Sequence, residues 1–182
     1  MSFYARTFGH EAIVAAMERI PADLRADVAF VDGLPRLMPN VWYDIRLAHA
    51  MVDEMLGRTA VNGQAKLARE AARAGVAESA RGIYRFVLMQ VASPELYAHH
   101  VQRLWGLLHD CGTREIRIVS PGEADSEIRD WPGHHPLLCV FTNETMAALF
   151  EVMGARNVVV RRELCISDEA PLCRTHISWS MR

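Results

Sequence analysis

Four cysteines, Cys111, Cys139, Cys165 and Cys173, are the side chains of this 182-residue sequence best placed to do chemistry. Cys165 and Cys173 flank the polar turn Ser167-Asp168-Glu169-Ala170-Pro171, so pairing of the two segments brings both thiols to one end of a hairpin. Cys139 stands just before a helix leading into that hairpin, where a third thiol converges on the same spot. Three converging thiolates make a soft, negatively charged site that suits zinc, which usually takes four ligands. The competing reading is three small buried hydrophobes, since free cysteine is among the most buried residue types. In a cytosolic chain, disulfides are the poorer reading of all four.

The other reactive side chains form no second constellation. His99 and His100 lie on one helix, where neighbours diverge by about 100°, so they are read as solvated. His134 and His135 sit between Pro132-Gly133 and Pro136, in a loop. His49 borders an apolar helix face and is read as a hydrogen-bonded core histidine. Asp125, Glu127 and Asp130 read as a solvated turn region. No Gly-rich phosphate loop, G-x-S-x-G elbow, H-E-x-x-H or C-x-x-C occurs, so no catalytic residue is assigned and the chain is not read as an enzyme. Nine methionines and several aromatics supply an adaptable interior, which serves a pocket or an ordinary core equally.

The elements that must position the cysteines follow from periodicity. Asn40 is expected to cap a helix running to Leu56, with Val41, Ile45, Ala48, Val52 and Met55 on one face and Gly57 closing it. Residues 64–74 give a second helix, and Ile83 to Val91 is a buried apolar segment of undecided type. Ser93-Pro94-Glu95 starts a helix: a cap, then proline in the first turn, then an acid for the dipole. Tyr97, Val101, Leu104, Trp105 and Leu108 form its inner face, and Gly112 ends it. Alternation then takes over, with a strand over 115–118, the turn Pro121-Gly122, and a partner strand around Glu127 to Trp131. A helix is expected over 142–153, then a strand from Val158 to Cys165 and a closing strand from Cys173 to Trp179. The expectation is an α+β fold, with N-terminal helices followed by helix-β-β-α-β-β and an antiparallel sheet. One domain spans 1–182, with a helical part at 1–92 and an α+β part at 93–182.

Composition sets the outer bounds. Apolar residues make up 51% and charged residues 23%, with a net charge of −2. That balance gives no electrostatic case for nucleic acid or an anionic membrane. The longest apolar runs fall short of the ~20 residues a spanning helix needs, and the charged first segment is no signal peptide, so a cytoplasmic protein is expected.

The run Cys139-Val140-Phe141-Thr142, a helix, Val-rich sequence into Cys165, seven residues and then Cys173 resembles the 4-vinyl-reductase-type domain. That domain is the sensory part of aromatic-responsive bacterial activators, in a superfamily with haem-NO-binding domains and small dimeric TRAPP subunits. The resemblance covers Cys139 to Trp179 and extends in outline to Ser93; residues 1–80 resemble nothing. It implies zinc held by Cys139, Cys165, Cys173 and a glutamate three residues before the middle cysteine. Arg162 occupies that position, and Glu163 beside it should face the other way on a strand. The fourth ligand is therefore left to Glu163 through a bulge, His176, Cys111 or water.

The function so implied is a sensory module binding a small, mostly apolar ligand between the sheet and the Ser93 helix, and signalling to a separate partner protein. The alternative is a dimeric adaptor of the TRAPP-like kind with no small ligand. A homodimer through the N-terminal helices is expected in either case. Haem is not expected, because the Tyr-x-Ser-x-Arg motif of the haem-NO-binding relatives is missing.

Overall fold

The structure is a computed structural model, and it describes residues 2–31, 34–38, 41–80 and 93–181. The chain divides into two compact units, Met1–Ala71 and Ala72–Arg182. In the first, helices α1 (Ser2–Phe8), α2 (His10–Arg19), α3 (Ala22–Arg25) and α4 (Ile45–Leu56) accompany a short hairpin of β1 (Ala29–Val31) and β2 (Leu34–Arg36). Ile13, Met17, Ile20, Leu47, Met51 and Met55 form its core. The helix α4 starts later than its apolar pattern suggests, because Asp44 rather than Asn40 caps it, accepting a hydrogen bond from the Arg46 N–H. Its buried stripe is Leu47, Met51 and Met55, with Ile45 outside, and Val41 lies before the helix. Asn40 and the segment Ile83 to Val91 lie outside the described residues.

Helix α5 (Val61–Ser79) carries the boundary between the units and is longer than the expected 64–74. In the second unit, α6 (Pro94–Gly106) begins as its sequence dictates: the Ser93 hydroxyl accepts from the Leu96 N–H at 3.2 Å, and Pro94 fills the first turn. It stops at Gly106, so Leu108 is 75% exposed rather than on the inner face. Gly112 serves instead at the turn into the next strand, with φ +73°, where a β-carbon would stand 3.1 Å from the Arg129 oxygen.

Strands β3 (Thr113–Ser120), β4 (Glu123–Arg129), β5 (Arg156–Leu164) and β6 (Cys173–Ser180) form an antiparallel sheet in the order β3-β4-β6-β5, with helix α7 (Pro136–Val152) inserted between β4 and β5. The helix-β-β-α-β-β order and the final antiparallel pair match expectation. The largest boundary differences are at β4, which begins four residues earlier than expected, and at α7, which begins at Pro136, so Cys139 lies in its first turn. The core joins α6, α7 and the inner sheet face through Tyr97, Val101, Ile116, Met146, Phe150, Ile177 and Trp179.

The β3–β4 turn fixes one glycine. Gly122 has φ +82°, its carbonyl accepts from the Trp179 N–H at 2.8 Å, and a β-carbon there would stand 2.5 Å from the Trp179 oxygen. Gly122→Ala is therefore expected to destabilise this unit by at least the roughly 1–2 kcal/mol of a left-handed non-glycine residue. A melting temperature equal to that of the parent chain would refute it.

Candidate metal centre

Each thiol is delivered by a different local device. Cys139 projects from the first turn of α7, whose start is set by Pro136 and by His135, the Nδ1 of which accepts from the Leu137 N–H at 3.2 Å. Cys165 closes β5 and caps a single 3₁₀ turn, Ile166–Asp168, and Glu169 in the left-handed conformation (φ 62°) turns the chain back. Cys173 opens β6 on its inward side. The three thiols are buried, and Cys165 Sγ lies 3.9 Å from both Cys139 Sγ and Cys173 Sγ. The expected convergence of Cys139, Cys165 and Cys173 is what the geometry places here.

His134 brings a fourth donor atom to the three thiols. Its Nε2 is 3.3 Å from Cys165 Sγ, and one donor atom from each of His134, Cys139, Cys165 and Cys173 lies within 4.8 Å of all the others. Ligand atoms of a tetrahedron with bonds of about 2.3 Å stand about 3.8 Å apart, close to the two Sγ–Sγ separations of 3.9 Å. The residues weighed for that position lie elsewhere. Glu163 faces outward beside Arg161 at 3.2 Å, and His176 bonds Asp125 on the outer sheet face at 2.9 Å. Cys111 packs at the edge of the cluster, its carbonyl accepting from Trp105 Nε1 at 3.0 Å. Arg162 does not face the sulfurs as a repelling charge but pairs with Asp168 at 3.2 Å.

The sequence signal that reveals His134 is Pro136. Proline is favoured in the first turn of a helix, so Pro136 starts α7 and leaves His134 immediately before its cap, within reach of a thiol one turn into the helix.

Around the four donors stands an apolar wall of Trp105, Ile128 and Trp131, with Trp131 edge-on to the His134 ring at 5.6 Å. Cys139 and Cys173 are shifted in opposite directions. A hydrogen bond from Cys139 leads in lowering Cys173 to about 5, helped by the Ile166 N–H and by His134, and the same bond raises Cys139. Ser167 Oγ lies 3.0 Å from Cys165 Sγ, and the Asn143 amide donates to Cys139 Sγ at 4.0 Å. Outer polar groups of this kind orient metal ligands.

The outer sheet face is charged, with Arg117, Asp125, His176 and Arg161 in one cross-strand row. The hydrogen bond from His176, with help from Arg117, holds the Asp125 carboxyl below its usual range. A carboxyl lowered by folding stabilises above its unfolded pKa of about 3.9 and loses that contribution as pH falls through its folded value. Asp125→Asn is thus expected to flatten the stability profile below about pH 4 and leave the profile near pH 9 unchanged. Superimposable profiles for the two proteins would refute it.

No protein-family model matches this sequence, and no curated protein matches it. Solved structures do match, and they are H-NOX proteins. An Fe(II) unliganded H-NOX protein from K. algicida aligns with 100% of this chain and 92% of its own, at a TM-score of 0.70 and 11% identity. An H-NOX protein from S. oneidensis covers 98% and 91% at 0.71 and 11%. An oxygen-binding H-NOX domain related to soluble guanylate cyclases covers 98% and 90% at 0.65 and 7%. Identities this low establish the fold and no more.

The comparisons correct two expectations. The resemblance to the 4-vinyl-reductase-type and TRAPP-like proteins is withdrawn, because the matched structures are H-NOX domains. That resemblance covers only residues 139–179, whereas the fold shared with these structures extends over the chain. The exclusion of haem falls with it, since it rested on one missing motif and the H-NOX family is described by its heme; the matches lend zinc no support. Haem iron takes imidazole or thiolate ligands, and α6 offers His99, exposed, and His100, half-buried. The donor type fits, but the interior of this unit does not, being closed around Ala124, Met146, Phe150 and Ile177.

Proposed function

We propose that this chain is a non-enzymatic sensory domain of H-NOX fold that binds a small, mostly apolar molecule and signals to a separate partner protein. The observation that supports this is a fold shared over 98–100% of the chain with H-NOX proteins, one of them described as oxygen-binding and another by the mechanism of H-NOX activation. Metal held by Cys139, Cys165, Cys173 and His134 is part of the reading, supported by the mutual spacing of the four donors. Such an ion acts structurally, tying the start of α7 to the β5–β6 hairpin. No helix among the described residues is long and apolar enough to cross a membrane. The reading includes a homodimer and a cytoplasmic location.

Three measurements test it. Thermal melts with toluene, phenol and indole are expected to show stabilisation by at least one of these probes, and no shift with any of them counts against ligand sensing. Hemin titration followed in the Soret region reports haem binding directly, and loss of the band in His99→Ala or His100→Ala would assign the axial ligand. Light scattering that gives a monomer mass throughout the micromolar range removes the homodimer.

A further inference from the structure

Arg114 on β3 is 7% exposed and points to the apolar side of the sheet. Its Nε is buried without a hydrogen-bond partner, and its Nη2 meets the thioether of Met146 at 3.2 Å. The guanidinium stands over the Trp105 ring at 5.8 Å. The acids of the neighbouring strand are engaged on the outer face, Asp125 by Arg117 and His176, and Glu127 by Arg129 and Arg174. A buried cation without a counter-ion is costly to keep, and neither a thioether nor an indole is an anion.

The missing anion lies along the same row of the sheet. Arg114 is directly opposed to Ile128, and Ile128 to Cys173, so arginine and thiol occupy one cross-strand row of the inner face, two strands apart. At a strand spacing of about 4.8 Å, their backbones are about 10 Å apart. The helix side gives a similar separation. Met146, in contact with the guanidinium, lies seven residues beyond Cys139, about 10 Å along α7. The surroundings are apolar, since Trp105 and Ile128 are buried in the cluster that holds the thiols. A divalent ion held by three thiolates and a neutral imidazole leaves such a site with a single net negative charge.

We propose that Arg114 is the built-in counter-charge of the centre formed by His134, Cys139, Cys165 and Cys173, and that it sets how tightly the centre holds a divalent ion. This rests on the metal reading and deepens it, by naming a residue outside the donor set that governs affinity. Opposite unit charges about 10 Å apart, in an interior of effective dielectric near 20, shift an equilibrium roughly 10- to 20-fold. Salt screens such a pair little, because both charges are buried. The coupling is reciprocal: the arginine favours the loaded site, and the loaded site favours the buried arginine. Charge rather than shape is what position 114 supplies, so lysine serves there where a neutral side chain does not.

The test is competition for zinc(II) and cobalt(II) against a chromophoric chelator, at fixed pH, on the full chain and on Arg114→Met, Arg114→Gln and Arg114→Lys. The two neutral variants are expected to bind both ions roughly 10- to 20-fold more weakly, with the cobalt(II) spectrum of the parent chain, while Arg114→Lys stays within about threefold. Unaltered affinity in the neutral variants overturns the proposal and leaves the metal reading intact. A loss in Arg114→Lys as large as in Arg114→Met, or an altered cobalt(II) spectrum in the neutral variants, also overturns it, because Arg114 would then act through its shape. Should neither neutral variant fold, the parent chain decides. Zinc loading should slow solvent exchange of the Arg114 Nε–H about tenfold by NMR, and exchange indifferent to zinc refutes the counter-charge. A parent chain that binds neither ion ends the metal reading and this proposal with it.

Discussion

Cys165→Ser is expected to abolish metal binding and lower the melting temperature of the metal-loaded chain by roughly 10 °C. Cys165 is the hub of the donor set, fully buried, with two sulfurs at 3.9 Å and His134 Nε2 at 3.3 Å. An ion present at a thousand times its dissociation constant stabilises the folded state by about 4 kcal/mol, and that contribution goes when one of four ligands goes. Without metal the same substitution exchanges one small buried group for a more polar one, at ~1–3 kcal/mol. Chelation separates the two. A chelator should lower the melting temperature of the parent chain and leave Cys165→Ser unmoved. Cobalt(II) should give intense thiolate-to-metal absorption with the parent chain and none with the variant. His134→Ala should weaken binding less, since three thiolates remain. Metal content far below one ion per chain, with melts indifferent to chelator, would show that the four donors are only a buried cluster.

Much of this centre was legible in residue order, and the illegible part has a physical cause. Cys165 and Cys173 could be brought together by reasoning because an antiparallel hairpin has a fixed period, so a polar turn between alternating segments sets which residues face each other. The same rule misplaced the start of β4, because Ala124 and Ser126 are small inward residues whose pattern is faint beside Ile128 and Trp131. His134 was missed through a helix boundary. Ser93 before Pro94 signals a helix start, whereas Pro136 follows a histidine, an uncommon cap that gives no such signal. The family likeness failed for a related reason, since local spacing of three cysteines says little about the course of the whole chain.

Phe150→Ala is expected to destabilise the second unit by about 3–5 kcal/mol, the range for emptying a large aromatic from a closed core. Phe150 has no exposed surface, and its ring meets Tyr97 of α6 edge-on at 5.9 Å and Trp179 of β6 at 5.1 Å. One side chain thus joins both helices to the sheet, and α6 and α7 cannot close on the gap without moving off the strands. Phe141, on the same helix but 37% exposed, serves as the control and should cost far less. The pair also probes how far the metal centre depends on the core. Phe150 lies 11 residues beyond Cys139, about 16 Å along α7. Below its lowered melting temperature, Phe150→Ala should therefore still bind cobalt(II) with the spectrum of the parent chain, because the thiolates are set by the hairpin and the first turn of the helix. A cavity that removed metal binding as well as stability would mean that α7 moves as a rigid lever between core and site. A loss of stability no greater than that of Phe141→Ala would mean that this core does not hold the unit together.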